Sequence, residues 1–193
     1  MTSHRPGAPS VESMQTTDAR RDLRAQRIAV VVWAVAATSM LVLAPIEELI
    51  WAPLAMTDDS YGLEAIYGVF APTTLTVGLV GVAIAFLLGL TAILVFTHFG
   101  WRGRLGTHWV HVATLGSMLV WLGLLAMFVA GFGVGNTVSD EIPPYVGRSS
   151  SVGELLQMLA LVAFLATVVG AICSLILMFR SAGVARRAWQ ASR

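Results

Sequence analysis

No lysine occurs in these 193 residues, cysteine occurs once, and four long apolar runs hold no charged side chain. All twelve basic side chains are therefore arginine, which we read as the codon bias of a high-GC genome rather than selection for guanidinium chemistry. The lone Cys173 excludes an intrachain disulfide and leaves no dithiol for redox chemistry. Charged residues make up 12% of the chain, where a soluble domain carries about a quarter. Apolar residues reach 56%, and mean hydropathy is +0.77. A chain of this composition has the bilayer as its solvent, and once its membrane crossings are subtracted no soluble domain fits in what remains.

Missing motifs narrow the chemistry. Pumps, ion-coupled transporters and channels hold a carboxylate, lysine or arginine within the hydrocarbon, and the middle of every apolar run here lacks one, which argues against ion translocation. There is no C-x-x-C, G-x-S-x-G or H-E-x-x-H, and no glycine loop ahead of a lysine that could cradle phosphate. No catalytic residue is predicted, and the balance leans away from an enzyme.

What is present is membrane architecture. The run from Ala71 to Phe96 is uncharged and longer than the roughly 20 residues a helix needs to cross about 30 Å of hydrocarbon. Only a helix satisfies its own amides there. Comparable runs give approximate crossings at 28–46, 71–97, 108–134 and 153–179, the first ended or kinked by Pro45. The predicted fold is an all-α integral membrane protein with four transmembrane helices. A polar arm (1–27), expected to be mobile on its own, precedes the membrane domain (28–180), and a basic tail (181–193) follows. The first connecting loop is half apolar and should carry a short interfacial helix through Tyr61 to Tyr67, with Asp58, Asp59 and Ser60 as N-cap candidates.

Arginine placement sets orientation. Eleven of the twelve fall in the arm, the 97–111 turn or the C-terminal end counted from Arg180, so both termini are expected in the cytoplasm and the two loops that hold only Arg148 outside. The protein is expected in the plasma membrane, with an acidic outer face to which Glu47 and Glu48 contribute as the first crossing reaches the far headgroups. Arg20, Arg21, Arg24, Arg27, Arg102, Arg104, Arg186 and Arg187 are the expected contacts to anionic lipid or a partner.

Two sets of small residues recur every fourth position: Gly81, Ala85 and Gly89, and Ala166, Gly170 and Ser174. Each makes a smooth helix face that lets another backbone approach closely, and the two faces are expected to meet each other or a partner. Thr107, His111, Thr114, Met118 and Trp121 form a mildly polar stripe suited to lining the bundle or docking on another protein. His98, His108 and His111 cluster near one membrane surface, the only constellation with metal-binding potential. Haem b needs ligands deeper in a bundle, so no cofactor is predicted and haem ligation by these histidines stands as the alternative.

Two functional classes fit. The first is a non-catalytic accessory or scaffold subunit of a larger bacterial plasma-membrane complex, respiratory or cell-envelope, whose partners are lipids and other integral membrane subunits and not nucleic acid. The second is a small-molecule or cofactor protein, either a b-type cytochrome or a carrier of a lipid-like or neutral ligand.

Overall fold

The computed structural model describes residues 11–57, 61–105, 108–142 and 148–191, without the side chains of 11–21, 184–188 and 191. It is all-helical among these residues. Helix α1 (Val11–Ile46) passes through a π-helical turn at Glu47–Trp51 into α2 (Ala52–Met56). A short α3 (Leu63–Gly68) follows, then α4 (Pro72–Trp101), α5 (Trp109–Glu141) and α6 (Ser151–Ala191). Four stretches are long and apolar enough to cross a membrane: Asp22–Met56, Pro72–Trp101, Trp109–Glu141 and Ser151–Gly183. The chain is a multi-pass membrane protein. Below, the arginine-rich end of the bundle is termed inner and the opposite end outer.

Two local expectations are revised. Pro45 does not end the first crossing, because the helix continues with it inside and reaches Met56 through the π turn. Pro53 explains the turn. It has no N–H for the Leu49 carbonyl at the α spacing or the Glu48 carbonyl at the π spacing, and the Ala52 amide instead bonds the Glu47 carbonyl. The side chain of Tyr67, on α3, repairs part of the loss by donating its hydroxyl to the Leu49 carbonyl at 2.6 Å. Burial raises the phenol's pKa, which keeps it in the donating form. The interfacial helix is α3, but Gly62 stands at its N-cap, its carbonyl accepting the Ile66 amide, whereas Asp58, Asp59 and Ser60 lie outside the described residues.

The arm is also helical, from Val11 onward. A transmembrane helix is already nucleated, so each polar residue added at its end gains a hydrogen bond without a new nucleus. Leu23 and Gln26 lie against Gly103 in the inner turn, where φ is +66°, a conformation that favours glycine. The Arg104 amide then reaches back to the Phe99 carbonyl at 2.9 Å and closes the end of α4.

Helix α5 is the hub. It packs against α1, α4 and α6, and α1 also packs on α4, whereas α6 makes only slight contact with α1. The largest buried cluster joins Ala37, Leu41 and Ala44 of α1, Val82 and Ile93 of α4, and Val120 and Met127 of α5. Ile66 and Phe70 are buried with Val134, Val138 and Ile142, which roofs the outer end of the hub.

The two smooth faces do not meet each other, because each packs on a nearer neighbour. Gly81 faces Ala130 of α5, and Gly89 faces Leu41 of α1. Gly170 faces Thr114 of α5 so closely that any Cβ would overlap the threonine hydroxyl. The least exposed line of α6 runs Gly153, Leu156, Ala160, Ala163, Thr167, Gly170, Ser174 and Leu177, alternating three- and four-residue steps, with Gly153, Leu156 and Ala163 buried and the others half-buried. This is the seam of a left-handed helix pair, and it leaves Ala166 beside the seam rather than on it.

Candidate functional site, an outer cavity rimmed by carboxylates

The seam between α5 and α6 is polar at its inner half. His111 Nδ1 lies 3.0 Å from Ser174 Oγ, and the Ser117 and Thr167 hydroxyls pair at 2.9 Å. Ser117 is fully buried, so its hydroxyl depends on that partner and on the Thr114 carbonyl at 3.0 Å. Further out the Trp121 ring meets Phe164 edge-on at 5.3 Å. Of the stripe expected on this helix, His111, Thr114 and Trp121 thus face α6, Met118 is exposed, and Thr107 lies outside the described residues. Ser117 escaped sequence reasoning because an isolated serine in an apolar run carries no periodic signal.

The histidines do not converge. His111 turns to α6, His98 packs edge-on against Phe99, and the His108 and His111 ring centres are 6.3 Å apart. Among the described residues no three His, Cys, Asp or Glu side chains are grouped to hold a metal ion. Nearby, the Arg27 guanidinium lies 5.3 Å over the Trp101 ring, and Arg24, Arg102 and Arg104 are exposed at the same end. The side chains of Arg20, Arg21, Arg186 and Arg187 lie outside the described residues.

At the other end α1, α5 and α6 part around a half-open cavity of about 530 Å³. Its outer rim is polar, with Glu47, Glu48, Ser149 and Ser150; the rest of its lining is apolar, with Trp121 partly buried and Leu125, Phe128, Leu161 and Phe164 exposed along its lipid-facing sides. Both glutamates were expected among exposed headgroup residues, but Glu47 is only 6% accessible and Glu48 is partly buried. The reason is tertiary. Each carboxyl rests on a glycine of another helix, Glu47 on Gly153 of α6 and Glu48 on Gly131 of α5, where any Cβ would overlap it.

The two carboxylates differ in their partners. Ser150 caps α6 by accepting the Gly153 amide at 2.8 Å and donates its own hydroxyl to Glu47 at 2.6 Å. Glu47 therefore sits at the α6 N-terminus, where the helix dipole favours an anion. Glu48 has no hydrogen bond and no cationic partner among the described residues. The indole nitrogen of Trp121 is buried without a partner among them. A buried N–H left unpaired costs about 1–3 kcal/mol, whereas the Glu48 carboxyl keeps some accessible surface.

No family model matches this sequence, and no curated protein or solved structure shows significant similarity to it.

Proposed function

We propose that this chain is a non-catalytic accessory subunit of a larger bacterial plasma-membrane complex, in respiratory or cell-envelope machinery. The observation that carries the reading is that the first and last helices both run on beyond the membrane on the same side. Helix α1 has 17 residues from Val11 to Arg27 before its apolar run, about 25 Å of helix, and α6 extends from Arg180 to Ala191, about 18 Å more. Both extensions are rich in arginine. Arginine retention on this side is the pattern of a cytoplasmic face; the α6 extension carries three arginines and no acidic residue, so it stands ready there for an acidic neighbour beside the mixed-charge α1 extension. Within the bilayer α6 is held along one face only and presents Leu161, Val162, Leu165, Val169 and Ile172 outward, a surface that accepts another subunit's helix as readily as lipid.

The test is a mild-detergent pull-down of the full chain, of a version beginning at Arg24, and of one ending at Ser181, read by mass spectrometry. A stoichiometric integral-membrane partner should copurify with the full chain and fall at least tenfold with either truncation, while circular dichroism stays helical. A monomer or homo-oligomer in all three samples would refute the assignment.

A further inference from the structure

We propose that the outer cavity is a binding site for a cationic amphiphile, an ammonium head carried on an extended apolar body. This goes beyond an assembly role, because the bound molecule is small.

The chemistry follows from what the cavity leaves unanswered. At its mouth are two adjacent carboxylates. Glu47 has the Ser150 hydroxyl and the α6 N-terminus, whereas Glu48 lines the cavity with no donor among the described residues. Among the described residues no arginine or histidine lines this cavity. The complementary group is a cation with N–H donors, and an ammonium supplies both the charge and the hydrogen bonds. Below the mouth the wall is apolar and aromatic, so the remainder of the ligand must be hydrocarbon.

Shape supports the same class. Gly131, under Glu48, and Trp121, on the deep wall, are ten residues apart on α5, so the site runs about 15 Å along the helix axis from head to tail. The volume of about 530 Å³ lies within the range of small-molecule sites. The glutamates lie near the outer end of the spans, so the head would sit at headgroup level and the chain would lie parallel to lipid tails. Glycines at 131 and 153 allow both carboxyls to lie at the rim, since a methyl group at either position would displace one of them.

Dodecylammonium is the probe. The protein is placed in phosphatidylcholine nanodiscs and binding of the radiolabelled amine is measured by equilibrium dialysis, with empty discs subtracted to remove bulk partitioning. One saturable site per chain is expected. Excess unlabelled dodecylammonium should displace the label, and dodecanol, which has the same chain without the charge, should compete at least tenfold more weakly. Glu48→Gln, which keeps the shape and removes the charge, should weaken binding at least tenfold. Ala160→Trp, which fills the cavity while leaving both glutamates, should abolish it. Absence of saturable excess over empty discs, equal competition by dodecanol, or unchanged affinity in Glu48→Gln would each overturn the proposal. The dodecanol comparison uses the wild-type chain, so the question is decided even if a variant fails to fold.

Discussion

Two glycines seven residues apart on α5 offer a controlled measurement of how closely the bundle is packed. A Cβ added at Gly116 would overlap Cβ and Cγ of Trp33 on α1, whereas one added at Gly123 meets nothing within 4 Å. The substitution to alanine is the same on the same helix, so its intrinsic effect on helix propensity, about 1 kcal/mol in favour of alanine, is common to both. At Gly116 the obstacle is the stem of a large side chain. Rotation about χ1 cannot move its Cβ away, and α1 must shift as a body. Overpacking of that kind costs about 1–3 kcal/mol. Subtracting the propensity gain leaves a net loss of up to about 2 kcal/mol for Gly116→Ala and none for Gly123→Ala. For a chain of this size that lowers the apparent unfolding midpoint by up to about 4–8 °C. Paired thermal melts in one detergent, followed by circular dichroism, measure the difference. If the two variants melt together, or if Gly123→Ala is the weaker, α1 and α5 do not approach at the 33–116 crossing and the hub arrangement fails.

Removing the Tyr67 hydroxyl by Tyr67→Phe should leave the Leu49 carbonyl without that donor and destabilise the outer cap by about 0.5–1.5 kcal/mol, seen as faster amide exchange through residues 61–70 with the rest of the chain unchanged. Ser117→Ala and Thr167→Ala should each cost about 0.6–2 kcal/mol in a detergent melt, and the double variant should cost less than their sum because both remove one hydrogen bond. In a Cys173→Ser background, a cysteine at Ser149 should react only with reagent added outside and one at Ser181 only with reagent admitted to the cytoplasm; the reverse pattern would invert the proposed orientation.

The four crossings and their common helical character were legible from sequence because the bilayer imposes them locally. Each span must satisfy its own amides, so a sufficiently long uncharged run becomes a helix whichever neighbours it meets. The arginine pattern was legible for the same reason, since it is a count along the chain. The fate of the small-residue faces was not. Gly81 and Gly170 look alike as spacings, and only the arrangement of α5 between α4 and α6 sends the first to Ala130 and the second to Thr114. The continuation through Pro45 and the π turn required Tyr67, from another helix, to supply the Leu49 carbonyl with a donor. Above all, Glu47 and Glu48 read as ordinary headgroup residues on their own helix. Their burial depends on glycines 131 and 153, more than eighty residues away in the chain, and a tertiary contact with a residue that has no side chain leaves no periodicity for a sequence to display.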